Sequence, residues 1–384
     1  MKSNYEVLAV SSSGEILMQV GKKEGVRVVP IEMSRAITPF KDVKAVWQLY
    51  KLFKKEQPLI VHTHTPKAGI AGMLAAKLAQ VPIRLHTVAG MPLLETTGIK
   101  RTILNAVEKL TYGCATRVYP NSKGLESIIK KHKFTKTDKL KVLANGSSNG
   151  INTSHFDPQL FTSTQNDNLK NQLGISANDF VFIFVGRLVG DKGINELVAG
   201  FKELSDRSDK LSVKSDESSM DRQQATTKSL NFKLLLVGPL ETELDPLKSE
   251  TIKEIEENSN IISVGWQADV RPYFAVSNCL VFPSYREGFP NVVLQAGAMG
   301  LPSIVSNING CNEIIEQGKN GWIIPVKDTE AIANAMEKSV SDVASFNEVK
   351  MHCRKMIQDR FEQKVVWEAL LEEYQRLENW HFEK

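Results

Sequence analysis

Short apolar runs alternate with amphipathic helical stretches from one end of this chain to the other, and that rhythm confines it to an α/β fold. In the first half the strand candidates are Tyr5–Val10, Val26–Ile31, Leu59–His62, Ile83–Val88, Arg117–Tyr119 and Leu140–Leu143. Helices are expected between them, over Pro39–Lys55, Lys67–Ala79, Lys100–Tyr112 and Ser122–Lys131. The second half repeats the theme with Phe180–Val185, Phe232–Val237, Ile261–Val264, Asn278–Phe282, Ser303–Val305 and Gly321–Ile324, followed by helices over Ala331–Val340 and near Glu362–Leu377. Strands this apolar belong to parallel sheets covered on both faces. Two such sets predict two doubly wound domains, residues 1–160 and 161–360, with a final helix in 361–384 packing back across them. The boundary is expected within Asn145–Thr164, where Asn145-Gly146-Ser147-Ser148-Asn149-Gly150 favours turns. Ser205–Asn231 breaks the rhythm. It is rich in Ser, Asp, Lys and Gln, which reads as a mobile surface insertion.

Charge is split between the halves. Residues 1–160 carry 24 Lys and Arg against 11 Asp and Glu, and the remainder 24 against 33. A basic first half implies an anionic partner, with membrane surface, lipid diphosphate and nucleic acid as the candidates. Nucleic acid fits poorly, because the run Lys130-Lys131-His132-Lys133 has no interleaved aromatics. No run of about 18 apolar residues could span a bilayer, and Met1–Glu6 lacks the layout of a secretory signal. Cys114, Cys279, Cys311 and Cys353 form no Cys-x-x-Cys pair and read as reduced, buried thiols of a cytosolic protein.

The chemistry concentrates in Tyr285–Ala296. Here Glu287-Gly288-Phe289-Pro290-Asn291 lies between an apolar strand and an apolar-faced helix, and Gln295 follows inside that helix. Pro290 suits the first helical position, and the free N–H groups of a helix start welcome an anion. Glu287 and Gln295 on one wall would cradle a polyol beside a phosphate. A second cluster, Gly186-Arg187-Leu188-Val189-Gly190-Asp191-Lys192-Gly193, follows another strand. Ligands of open α/β sheets bind beyond the carboxyl ends of strands, so Arg187 and Lys192 suit a diphosphate there, unless they are an ordinary exposed pair.

Taken in order, Gly186-Arg187 with Lys192-Gly193, Val264-Gly265, Pro283-Ser284 with Glu287-Gly288-Phe289-Pro290, Gly300-Leu301-Pro302, and Gly310 with Glu313-Ile314-Ile315 resemble family 4 of the retaining, nucleotide-sugar-dependent glycosyltransferases. The first half joins in through His62-Thr63-His64-Thr65-Pro66-Lys67 and His86-Thr87-Val88-Ala89-Gly90. The resemblance is greatest to members that build bacterial capsule, O-antigen or exopolysaccharide. It implies the GT-B fold, two Rossmann-like domains facing across a cleft. It also implies transfer of a sugar from a nucleotide-sugar, a UDP-sugar by expectation, to a lipid-diphosphate-linked glycan with retention of configuration. The enzyme would then be cytoplasmic and peripheral on the inner membrane face. In this reading Arg187 and Lys192 hold the diphosphate, Glu287 contacts the sugar, and the Gly288–Asn291 backbone lies close by. Gln295 meets the ribose. No cofactor and no metal are expected, because cationic groups carry the charge and no Asp-x-Asp motif occurs.

The sequence departs from the family in three places. Gln295 stands where a second Glu is usual, and Ala89 where His is common. Glu95 is the nearest acid that could orient an acceptor hydroxyl, if it is not simply a loop acid. His64 and Lys67 are candidates for lining an acceptor pocket, with a structural role as the alternative, and His62 with His64 makes a poor zinc site for want of further ligands. By register with the family, Tyr5–Val10 corresponds to the second strand, so the first strand and its glycine loop are expected upstream of Met1. Two rival readings remain: transfer to a soluble acceptor, or a degenerate transferase that binds a sugar nucleotide or a partner without catalysis.

Overall fold

The computed structural model describes residues 3–33, 38–91, 93, 96–218, 231–243 and 245–383. The chain divides into two compact units, Met1–Ser148 with Val365–Lys384, and Asn149–Lys364.

The first unit runs β1 (Leu8–Ser11), α1 (Glu15–Glu24), β2 (Arg27–Pro30), α2 (Pro39–Glu56), β3 (Ile60–Thr63), α3 (Pro66–Leu78), β4 (Ile83–Val88), α4 (Gly98–Cys114), β5 (Arg117–Pro120) and α5 (Lys123–Lys131). All pairings are parallel, but the strands form two sheets, β1–β2 and β3–β4–β5. Among the described residues, β1 and β3 thus each carry one edge without a strand partner. Between them lies a cavity of about 1100 Å³, lined by Leu8, Val10 and Ser11 of β1, Val61 and His62 of β3, and Phe53 of α2. The expected strand Leu140–Leu143 is reduced to a single bridge from Leu140 to Val118. The lysines that flank Leu140 are drawn elsewhere, Lys139 to the carbonyls of Tyr112 and Ala115 and Lys141 to Glu373.

The second unit runs α6 (Ser163–Gln172), β6 (Phe180–Val185), α7 (Ile194–Ser218), β7 (Phe232–Val237), α8 (Ser249–Glu257), β8 (Ile261–Ser263), α9 (Arg271–Ala275), β9 (Cys279–Phe282), α10 (Asn291–Ala298), β10 (Ser303–Ser306), α11 (Cys311–Ile314), β11 (Gly321–Ile324), α12 (Thr329–Ser341) and α13 (Val343–Phe361). Among the described residues one parallel sheet contains all six strands in the order β11-β10-β9-β6-β7-β8. The order reverses between β6 and β9, the place where an open α/β sheet leaves a crevice at its carboxyl edge. Burial explains why these strands hold: β9 and β10 are buried at every residue, and β6 at all but Phe180.

The polar stretch from Ser205 does not leave α7 as a loop. The helix continues to Ser218 because its first turns are fixed by buried Ile194, Leu197, Phe201 and Leu204, and extending a formed helix costs far less than starting one. Arg207 secures this part by pairing with Glu203 and, on α12, Glu337. The rest of the expected insertion, 219–230, lies outside the described residues.

The last helix, α14 (Gln363–Phe382), belongs with the first unit from Val365 onward. Buried Glu373 holds it there, accepting from Tyr119, Lys141 (2.6 Å) and Arg376 (2.7 Å). Burial alone would raise this carboxyl's pKa. The hydrogen bonds from Arg376 and Lys141 outweigh burial and bring it down to about 2.

Candidate active site

The loops after β6 and β9 meet where the strand order reverses. Gly193 makes their contact close. It has φ +71°, and a Cβ added there would fall 2.2 Å from the Pro283 carbonyl oxygen. Only glycine takes that conformation without cost and leaves the space empty. Tyr285 N–H donates to the Asp191 carbonyl (2.9 Å), and Arg286 pairs with the Asp191 carboxylate (3.0 Å). Gly310 presses in from the next loop, where a Cβ would lie 2.7 Å from the Gly288 carbonyl oxygen and the Phe289 Cα.

This scaffold brings two of the candidate residues together. Lys192 Nζ lies 2.5 Å from Glu287 Oε1, and the Ser284 hydroxyl donates to the same oxygen at 3.1 Å. Both side chains are mostly buried, so the pair is partly shielded from water. Arg187 follows β6, is about half exposed, and pairs with Glu241 at 2.9 Å. Each candidate diphosphate cation is thus paired with a carboxylate, Lys192 with Glu287 and Arg187 with Glu241.

The remaining candidates of this unit occupy one short stretch. Gly186 follows β6, and its carbonyl oxygen approaches Gly238 so closely that a Cβ there would lie 1.8 Å away. Gly288 leads into buried Phe289 and Pro290, and Asn291 is exposed. Pro290 is not the first helical residue as expected. It takes extended angles (φ −76°, ψ 111°) as the cap, and α10 starts at Asn291. Its fixed φ serves a cap as well as a first turn, so sequence alone misplaces the boundary by one residue. Gln295 is half-buried, little more than one turn into α10.

Four contributors escaped the sequence reading: Glu241, which holds Arg187, Asp191, which holds Arg286, and the pair Tyr285 and Glu196, joined at 2.7 Å. Lys327 stands over the Tyr285 ring, 4.7 Å from its centroid. Burial first, then Glu196, raises the Tyr285 pKa, so this hydroxyl stays protonated as a donor. The usable signal was position after a strand end; the partners depend on which loops meet.

In the first unit, His64 lies just beyond β3, its ring stacked on His62 with centroids 4.2 Å apart. His62 itself is structural, bonded to the Tyr374 hydroxyl at 2.6 Å and to Thr87 at 2.7 Å. Burial, then the neighbouring His64 and His86, lowers its pKa well below the usual value. Lys67, in the first turn of α3, pairs with Asp42 at 2.6 Å. His64 and Lys67 both line the cavity between β1 and β3. Glu95 lies outside the described residues. Among those described, no three His, Cys, Asp or Glu residues converge as metal ligands, and all four cysteines are buried and free.

Residues 5–146 match the model described as a glycosyl transferase 4-like domain, and residues 179–342 the model described as glycosyl transferases group 1. The capsular polysaccharide biosynthesis glycosyltransferase CapM of Staphylococcus aureus is 34% identical over 370 residues, covering 96% of this chain and 89% of CapM. A UDP-Gal:alpha-D-GlcNAc-diphosphoundecaprenol alpha-1,3-galactosyltransferase of Escherichia coli is 31% identical over 334 residues, 86% of this chain and 78% of that enzyme. Among solved structures, a glycosyltransferase from Rickettsia africae superposes with a TM-score of 0.78 at 18% identity, covering 98% and 91% of the two chains. Anabaena Alr3699/HepE in complex with UDP superposes with a TM-score of 0.74 at 16% identity, covering 96% and 92%.

Proposed function

The chain belongs to the group 1 glycosyl transferases and has the GT-B architecture, and from that premise we propose that it moves a sugar from a UDP-sugar to a lipid-diphosphate-linked glycan, retaining configuration, in surface polysaccharide assembly. The observation that supports this best is the contact of Lys192 with Glu287 at the point where the sheet order reverses. It sets a cation for phosphate beside a carboxylate for sugar hydroxyls. CapM's role in capsule synthesis supports the product class, and the diphosphoundecaprenol acceptor of the Escherichia coli relative supports the acceptor class. The UDP bound to HepE supports the nucleotide.

The donor diphosphate takes Lys192 from Glu287 and Arg187 from Glu241. Arg187 offers a planar fork and Lys192 a point charge. Glu287, released, accepts hydrogen bonds from the sugar, and Gln295 bonds the ribose hydroxyls as a neutral donor and acceptor. As the bond from the anomeric carbon to the leaving phosphate oxygen breaks, both cations stabilise the charge that develops on the diphosphate. The departing phosphate takes the acceptor hydroxyl's proton, and the acceptor oxygen bonds to the anomeric carbon on the same face. Because Arg187 and Lys192 supply the positive charge, the proposal needs no metal. His64 and Lys67 are assigned to the acceptor side.

The test is UDP release from UDP-sugars with and without a polyprenyl-diphosphate-linked sugar. Release should depend on acceptor, and Arg187→Ala or Lys192→Ala should lower turnover by roughly 10²–10³, the scale for removing one charge-stabilising donor. Normal turnover in both variants would refute the assigned roles.

Gln295 favours a second reading, binding without transfer, because it lacks the charge of the usual Glu. Calorimetry that detects UDP binding under conditions where no acceptor is glycosylated would support it.

A further inference from the structure

The turn that carries Lys192 is held by a residue to which the proposed reaction gives no part. After β7 the chain runs beside the loop that follows β6, and the Leu188 N–H donates to the Pro239 carbonyl at 2.9 Å. Asp245 then grips the 3₁₀ turn Gly190–Lys192 at two points. Its carbonyl oxygen accepts from the Gly190 N–H (2.9 Å), and its carboxylate accepts from the Asp191 N–H. These N–H groups open a turn and have no partner within it, so Asp245 satisfies both. Gly190 leaves room for the carboxylate, because a Cβ there would lie 2.8 Å from Asp245 Oδ1. Past Asp245 the chain is anchored again. Leu247 is buried, and the Lys248 N–H donates to Asn195 of α7 at 3.0 Å.

Asp245 holds this place under strain. Its φ is +56°, in the left-handed region that few residues other than glycine adopt. It also precedes Pro246, and a residue before proline is pushed toward extended angles. Strain of this kind persists only where surrounding contacts impose it, and it gathers at working sites. Packing does not account for it, since Asp245 is exposed and fills no core. What the strained conformation achieves is the grip on the turn. From there the hold passes on, because the Asp191 carbonyl accepts from the Tyr285 N–H (2.9 Å) and Lys192 is the next residue.

We propose that Asp245 is a positioning residue for the transfer: it caps the turn that presents Lys192 and so fixes where that ammonium meets the leaving diphosphate. It acts through Lys192 and not on the substrate. The proposal rests on the assignment of Lys192 to the diphosphate and adds what sets the place of that charge. Negative charge builds on the diphosphate as the glycosidic bond breaks. A displaced cation therefore costs more in the transition state than in the bound donor.

Two substitutions in the full chain separate this role from a structural one. Asp245→Gly removes the carboxylate and relieves the strained φ, so the midpoint of urea unfolding should not fall. Asp245→Asn keeps an acceptor oxygen and tolerates left-handed angles. Amide exchange at Asp191, followed by NMR, should quicken by roughly tenfold or more in the glycine variant and stay near the parent rate in the asparagine variant. With a UDP-sugar and a polyprenyl-diphosphate-linked sugar, Asp245→Gly should lower kcat by roughly ten- to a hundredfold and change the donor KM by no more than about threefold. Asp245→Asn should keep most of the parent's kcat. In a Lys192→Ala background Asp245→Gly should cost nothing further, because both changes remove the same positioned charge. The proposal is overturned if Asp191 exchange is unchanged in Asp245→Gly, if its midpoint falls, if the loss lies in KM, if asparagine loses as much as glycine, or if the full loss recurs without Lys192. The exchange arm needs neither donor nor acceptor. A parent that transfers no sugar would refute the transferase reading, while exchange at Asp191 still decides whether Asp245 sets the turn.

Discussion

The two units contain the same kind of strand but close their sheets differently. In Asn149–Lys364 six parallel strands make one sheet, and the loops at its switch point are locked by Gly193 against Pro283 and Asp191 against Tyr285 and Arg286. Among the described residues of the first unit five strands make two sheets, with a cavity between β1 and β3. A continuous sheet with β6 and β9 paired at its centre holds residues from distant loops within hydrogen-bond distance of each other, as for Lys192 and Glu287. Where a strand edge lacks a partner, His64 and Lys67 stand on the wall of a cavity, with positions set by one neighbouring sheet and by side-chain pairs such as Lys67 with Asp42. Around the candidate donor residues backbone contacts between loops add to the side-chain pairs, whereas Lys67 is tied chiefly by its pair with Asp42.

The largest effect that could break this contrast is a glycine substitution. Gly193→Val puts a side chain 2.2 Å from the Pro283 carbonyl at φ +71° and should cost about 3 kcal/mol or more, through strain and steric overlap together. Gly98 in the first unit also has positive φ, +60°, yet a Cβ there meets nothing within 4 Å. Gly98→Ala should thus cost only about 1 kcal/mol of backbone strain. Urea unfolding of both variants checks this; equal costs would mean that the switch-point loops are no more tightly set than a helix start in the other unit.

The next effect separates the units by pH. His86 is buried under α3, bonded to Thr63 at 2.8 Å, and its ring lies where a Cβ on Gly69 would be 2.5 Å away. Burial, then His64, lowers its pKa to about 4 from the ordinary 6.5. The unfolded chain therefore takes the proton first as pH falls. The stability is complete above about 6.5 and is lost progressively down to about 4, on the order of 3 kcal/mol in all. Hydrogen exchange of β3 and β4 should accelerate across that window while β6 and β7 hold, since no described histidine of the second unit is buried. His86→Gln should reduce the dependence, and what remains is expected from His62, whose pKa burial also lowers. If the parent shows equal acceleration in both units, the loss does not come from His86.

How legible this was from sequence followed the same contrast. Phe180–Val185 and Phe232–Val237 are strands at the residues their apolar runs mark, because a central parallel strand is buried on both sides and the pattern needs no other information. Leu140–Leu143 looked similar, but its flanking lysines find carbonyl and carboxylate partners that only the folded unit supplies. At Ser205–Ser218 composition does not mark the continuation of α7, which a nucleated helix extends through a polar sequence. At the site, Lys192 and Glu287 were legible as residues at strand ends. Their contact, and the holds of Glu241 on Arg187 and Asp191 on Arg286, depend on strand order, which decides the loops that become neighbours and leaves no local mark.

The smallest predicted effect concerns Gln295, and it sharpens the comparison from the donor side. If backbone sets this site, adding the missing charge should change affinity without disturbing geometry. Gln295→Glu keeps the length and shape of a half-buried side chain on α10, beyond the cap at Pro290. Making a hydrogen bond to a ribose diol charged is worth about 1–2 kcal/mol. UDP should therefore bind roughly tenfold more tightly by calorimetry. The unfolding midpoint without ligand should stay within a degree or two, since a half-exposed carboxylate is partly solvated. Unchanged UDP affinity together with an unchanged midpoint would place the ribose away from α10 and remove Gln295 from the site. A lowered midpoint would instead show that α10 depends on a neutral residue there, and the backbone's hold on the candidate donor residues would not extend to that helix.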